Sequence, residues 1–252
     1  MLRALRVLLL LALAGVCAAE EITVAAASDL QYAMKEVAAR FQQQTGNTVR
    51  LTFGSSGNFY AQINNGAPFD VFLSADAEYP RKLVEGRRGE RLVVYGVGKL
   101  VLWAPTASMV DVNRGIKGLI DPSIKKIAIA NPQHAPYGRA AVAALKHEGV
   151  YDRLSARLIM GENISQTMHF MESGNVDAGF VALSLAVAPV AQGHGRFWMV
   201  PQEFYPPIEQ AAVVVSRSSR KRTATAFLDF LNQPEIVEVM KVYGFERPAE
   251  KK

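Results

Sequence analysis

The sequence predicts an α/β fold of mostly parallel sheets flanked by helices, and three observations carry that expectation. Short β-branched and apolar runs alternate with segments of helical periodicity along the 252 residues. The helical segments carry clear start and stop residues. Several strand-like runs also end in Ser, Asn or Gly and lead directly into a helix. Strands that alternate with helices pair in parallel, because a parallel connection is long enough to hold a helix.

The N-terminus reads as a leader over residues 1–19. Arg3 and Arg6 precede an apolar run from Val7 to Val16, and small residues follow, which is the layout of a secretory signal peptide. The run is too short for a membrane span, and no later stretch is continuously apolar for ~20 residues. Cleavage after Ala18 or Ala19 is expected, which places the mature protein outside the cytoplasm, in the periplasm. It also removes Cys17, the single cysteine. Val16 is bulkier than the residue that normally precedes a lipidated cysteine, so no lipid anchor is expected at Cys17.

The chain has 28 Lys and Arg against 23 Asp and Glu, and 26 basic residues remain without Arg3 and Arg6. The basic clusters around Arg87 and around Arg220 are interrupted by acids or serines and read as solvated surface, so no nucleic-acid partner is expected.

Strands are predicted over 22–26, 50–53, 71–74, 100–103, 126–130, 178–181 and 211–215. Leu30, Met34, Val37 and Phe41 fall at i, i+4, i+7 and i+11 and form one apolar stripe, which Gly46 closes. Further helices are predicted over 138–148, 164–173, 223–232 and 234–243. The length suits one large or two small α/β domains. With two lobes, the chain crosses between them within 96–105 and within 200–209, which assigns 20–98 and 208–252 to the first lobe and 99–207 to the second.

Chemistry is expected at four strand-to-helix turns: at Ser28, at Ser55 and Ser56, at Tyr137 and Gly138, and at Asn163 and Ile164. The first backbone N–H groups of a helix lack intrahelical acceptors and sit at the positive end of its dipole, so an anion is favoured there. Any one of these residues taken alone reads as a helix cap. Together they gain meaning if the fold gathers them at the carboxyl edge of the strands, where α/β ligands bind.

Other chemistries lack their residues. The four histidines are scattered without metal-ligand spacing, so no metal is expected, and His134 reads as a turn histidine bonded to backbone. Gly98 and Lys99 are followed by Leu100 where a phosphate-binding loop needs Ser or Thr, and Gly54-Ser55-Ser56-Gly57 lacks the spacing of a hydrolase nucleophile turn. No cofactor is expected. An exported hydrolase acting on an anionic ester would have to rely on Asp29, which reads as a helix-start acid favourable to the dipole.

The segments AAASDL, FGSSGN, NGAPFDVFLSAD, ANPQHAPYG and KVYGF resemble, in this order, the molybdate-binding proteins of molybdenum ABC importers. The resemblance covers essentially the whole mature chain. It implies a two-lobed periplasmic-binding-protein clamp with an oxyanion, molybdate or tungstate, in the cleft between lobes. It also implies delivery to a membrane permease, no catalysis, and a monomer. Carried over onto matching motifs, Ser28 and Ser56 would bind through hydroxyl and backbone N–H, and Tyr137 and Ile164 through backbone N–H. Asp70 and Asp76 look structural by the same analogy. One departure stands out: some members place a ligand-binding tyrosine where this chain has Ala182. The Tyr137 hydroxyl is a candidate to compensate, and phosphate and sulfate remain alternative ligands.

Overall fold

The computed structural model describes residues 19–248. Apart from Ala19, the expected leader and its Cys17 lie outside that span. Ten strands are present among the described residues: β1 (Glu21–Ala27), β2 (Thr48–Gly54), β3 (Val71–Ser74), β4 (Gly89–Gly98), β5 (Leu100–Pro105), β6 (Ile127–Ala130), β7 (Leu158–Gly161), β8 (Ala178–Ala182), β9 (Gly195–Met199) and β10 (Ile208–Val215). The helices are α1 (Ala33–Thr45), α2 (Ser56–Asn64), α3 (Glu78–Glu85), α4 (Pro136–His147), α5 (Tyr151–Leu154), α6 (Ile164–Glu172), α7 (Leu183–Ala186), α8 (Lys221–Phe230) and α9 (Pro234–Val242).

The strands form two five-stranded sheets, ordered β2-β1-β3-β10-β4 and β7-β6-β8-β5-β9. Each sheet is the floor of one lobe, and both follow one plan, although the sequence has no repeat. In each, one strand opposes the other four: β10 runs antiparallel to β3 and β4, and β5 antiparallel to β8 and β9. These are the strands that arrive directly from the other lobe. The chain leaves β4 at Gly98 and begins β5 at Leu100, opposite the last residue of β8, Ala182. It therefore enters the second sheet at the carboxyl ends of its parallel strands and must run against them. The same holds for β10, whose Ile208 lies opposite Gly98.

Local sequence sets most elements. Met34, Val37 and Phe41 of α1 are buried, and Gly46 ends the helix with φ at 77°, a conformation glycine adopts without steric cost. Phe41 packs edge-on against Phe227 and Phe230 of α8, with centroids 5.2 and 5.3 Å apart, and so fastens the C-terminal helices to the first lobe. Burial of such a ring is worth roughly 1.5–3 kcal/mol.

Three strands escaped the sequence reading, β4, β7 and β9, and all three lie at sheet edges. Residues 90–92 of β4, Ile159 and Met160 of β7, and Phe197 and Met199 of β9 are exposed, so no continuous apolar run marks these strands. An edge strand buries little of either face, and its pattern carries correspondingly little signal.

Candidate functional site

In the first lobe, β1 runs into a short turn, Ser28–Leu30, of 3-10 geometry. No side chain caps α1, so the Ser28 hydroxyl is not spent on a helix; it accepts the Ser165 N–H of the second lobe at 3.4 Å. At the end of β2 the two serines divide the work. Ser55 caps α2 by accepting the Asn58 N–H at 3.4 Å. Ser56 accepts the Ala75 N–H at 3.0 Å instead, so its own hydroxyl hydrogen remains to be donated elsewhere.

In the second lobe, Pro136 opens α4 and has no N–H, so Tyr137 carries the first backbone donor of that helix. Ile164 opens α6, whose cap Asn163 accepts the Gln166 N–H at 3.0 Å. The N–H groups of Tyr137 and Ile164 have no intrahelical acceptor by position.

Ser28, Ser56, Tyr137 and Ile164 line one cavity between the lobes, together with Asp29, Ser55 and Asn163. The cavity is tight, and its lining residues Ser28, Ser56 and Tyr137 are all buried. A larger groove beside Gln31 and Tyr32 shares Asn163 with the cavity but gathers only the starts of α1 and α6. The lobes touch around the cavity: Gly57 N–H donates to the His134 carbonyl at 2.9 Å, and Ser165 Oγ donates to the Ser28 carbonyl at 3.0 Å. A Cβ on Gly57 would lie 2.7 Å from His134 Cβ, so glycine is required for this approach.

Behind the cavity lies a buried polar cluster that joins both lobes at the crossing. Gln210 of β10 donates to Asp29 Oδ2 and, at 3.3 Å, to the Tyr137 hydroxyl. Its carbonyl accepts the Tyr95 hydroxyl at 2.9 Å, and Ser184 donates to the Asp29 carbonyl at 2.7 Å. Asp29 Oδ1 has no partner. Burial pushes the Asp29 carboxyl up to about 6, against the opposing pull of hydrogen bonds from Gln210 and Tyr137. The same burial pushes the phenols of Tyr137 and Tyr95 well above their ordinary range.

Several sequence expectations change in detail. Asp29 is an acid in the first turn of the Ser28–Leu30 segment, as expected, but its carboxylate also accepts from Gln210, a fully buried residue away from the cavity wall. The Tyr137 hydroxyl is committed to that same cluster and does not replace the missing tyrosine at Ala182, which is buried opposite Leu100. His134 bonds by its ring to Ser55 Oγ at 3.0 Å, with Glu162 3.6 Å away on the other side, so it is more than a backbone-bonded turn residue. Asp70 ties β1 to the segment after β10 by accepting Thr23 N–H at 2.7 Å and Ser218 Oγ at 2.7 Å. Asp76 caps α3 through Tyr79 N–H at 3.0 Å and also pairs with Arg139 of the second lobe. Sequence reasoning missed Gln210, Tyr95, Ser165 and Ser184. All four join segments distant in the chain, and only Gln210, a polar residue within an apolar strand, carried a local signal.

Among the described residues, no three His, Cys, Asp or Glu side chains gather as a metal site requires, and no helix is long and apolar enough to cross a membrane. The arrangement instead offers hydroxyl and N–H donors from both lobes to one small enclosed volume, the chemistry of oxyanion capture. Residues 22–246 match the bacterial extracellular solute-binding protein family. The chain belongs to this family. It is 42% identical to the molybdate-binding protein of Rhodobacter capsulatus, covering 94% of this chain and 92% of that one. Identity to the corresponding Azotobacter vinelandii protein is 40%, over 91% and 92% of the two chains. The solved structure of the Azotobacter vinelandii periplasmic molybdate-binding protein superposes with a TM-score of 0.85 at 37% identity, covering 90% of this chain and 99% of that one. At 17% identity, the sulfate-binding protein of Mycobacterium tuberculosis shares the fold of this solute-binding protein, with a TM-score of 0.73 and coverage of 92% and 88%.

Proposed function

We propose that this protein captures molybdate or tungstate in the periplasm and presents it to the permease of an ABC importer, acting as a monomer and without catalysis. The observation that carries the reading is the convergence of Ser28, Ser56, Tyr137 and Ile164 on one enclosed cavity. These residues are its ligand set: two hydroxyls and four helix-start or turn N–H groups that hold a dianion without a counter-charge. Charge-assisted hydrogen bonds worth ~1.5–3 kcal/mol each reach the about −8 kcal/mol of micromolar binding with only a few made. Identities of 42% and 40% to molybdate-binding proteins support the choice of anion. An exported esterase would need an acid or nucleophile aimed at the ligand, and the Asp29 carboxylate turns toward Gln210.

A cradle of donors favours oxyanions that bring no proton, because a ligand hydroxyl facing a donor leaves a buried group unpaired. One feature favours phosphate as a second reading: Asp29 lines the cavity, and its Oδ1, which lacks a hydrogen-bond partner, is an acceptor for a phosphate proton. Calorimetric titration with molybdate, tungstate, sulfate and phosphate at neutral pH separates these readings. Molybdate and tungstate are expected to bind at micromolar affinity or better, sulfate several powers of ten more weakly, and phosphate not at all. Phosphate or sulfate binding as tightly as molybdate would overturn the anion assignment. The periplasmic reading is checked by N-terminal sequencing of the exported protein, expected at Ala19 or Glu20, and the monomer by light scattering.

A further inference from the structure

We propose that Arg139 and Asp76 form an inter-lobe latch, a positioning pair that never touches the anion but sets how long the closed cleft holds it. Arg139 belongs to α4 of the second lobe, one residue beyond Gly138, and its guanidinium pairs with Asp76 Oδ2 of the first. It also reaches Tyr79 Oη at 3.4 Å and lies over the Tyr79 ring, 5.5 Å from its centroid. Tyr79 is in turn stacked on Tyr60 at 5.2 Å. The first-lobe half of this contact is rigid without Arg139, since Asp76 Oδ1 is fixed by Tyr79 N–H at 3.0 Å and Ser74 Oγ at 3.2 Å. The Asp76 side chain is only 14% exposed, which limits screening of the pair. Neither residue lines the cavity.

Opening the cleft separates α4 from α3 and breaks this pair, while the cap on α3 survives. A contact present in one state and absent in the other biases the equilibrium between them by its own free energy. The anion enters the open form, so the latch acts on release and not on capture.

The inference rests on the proposed oxyanion capture, and its test uses radiolabelled molybdate on the full mature protein. Dissociation is followed during a chase with unlabelled molybdate, and association by rapid mixing. Arg139→Gln and Asp76→Asn are each expected to release molybdate about tenfold faster, with association within about twofold of wild type. The double variant should release no faster than either single one, because both remove the same contact. Arg139→Lys, which keeps the charge but loses the planar fork and its packing on Tyr79, should fall between. Asn caps a helix as well as Asp, so Asp76→Asn keeps α3; if it fails to fold, the two Arg139 variants carry the test. Unchanged release in the variants, or slowed association with unchanged release, overturns the latch while leaving molybdate binding intact. A wild-type protein that retains no molybdate overturns the proposed function and the latch with it.

Discussion

The two lobes share one strand order but furnish the cavity in different ways. In the proposed ligand set the first lobe adds side chains, the hydroxyls of Ser28 and Ser56, to its N–H groups, while the second contributes backbone alone, the N–H groups of Tyr137 and Ile164 at the starts of α4 and α6. On that proposal side-chain chemistry matters on one side of the cleft, and helix placement on the other. The Tyr137 side chain illustrates the difference: its hydroxyl leaves the cavity altogether and joins Asp29 and Gln210 at the crossing.

The largest expected effect on affinity comes from breaking the contact between the lobes. In Gly57→Ala the new Cβ would lie 2.7 Å from His134 Cβ and 2.9 Å from its Cα, closer than atoms pack, so the lobes cannot meet. Molybdate affinity is expected to fall at least ~100-fold, about 2.7 kcal/mol, while the unfolding midpoint without ligand falls less, because Gly57 lies in an ordinary helical turn and its close neighbour within the first lobe, Tyr79 Oη at 2.7 Å, is the far end of a flexible side chain. Affinity within about threefold of wild type in calorimetry would show that the lobes do not close through this point.

Next comes the buried carboxyl that joins them. Asp29 is held at about 6 in the closed form, above its ordinary 3.8. A raised carboxyl contributes stability that is fully present below the unfolded value, near 4, and is lost as pH rises through 6. The shift corresponds to about 3 kcal/mol. Urea unfolding of ligand-free wild type and Asp29→Asn is expected to show the wild type losing ground to the variant by about that amount between pH 4 and pH 7.5. Parallel curves for the two proteins would remove Asp29 from the account.

The smallest effects sharpen the contrast between side chain and backbone. Ser28→Ala and Ser56→Ala should each weaken molybdate binding by roughly 1–3 kcal/mol, the value of a hydrogen bond to a charged group. Ile164→Val keeps the N–H and should change affinity by less than about 0.5 kcal/mol. Calorimetry that finds the serine variants unchanged, or the Ile164 variant as weak as they are, would reverse the division between lobes.

By itself the sequence determined the class of fold, most central strands, the principal helices and the four turns that meet at the cavity. These are written locally: apolar periodicity marks an element that buries a face, and Ser, Pro or Asn at a helix start marks orphan N–H groups whatever the rest of the chain does. The shared motifs AAASDL, FGSSGN and ANPQHAPYG carried the family. Tertiary structure decided the further partners of the two adjacent serines, since Ser55, which caps α2 locally, also meets the His134 ring, while Ser56 accepts the Ala75 N–H. It also decided the direction of the Asp29 carboxylate, the cluster with Gln210 and Tyr95, and the pairing of Asp76 with Arg139. Each of these depends on groups 60 or more residues apart brought within hydrogen-bond reach, within the first lobe for Asp29, Tyr95 and Gln210 and between the lobes for Asp76 and Arg139. A polar side chain satisfies whatever partner burial delivers to it, and the chain order does not name that partner in advance.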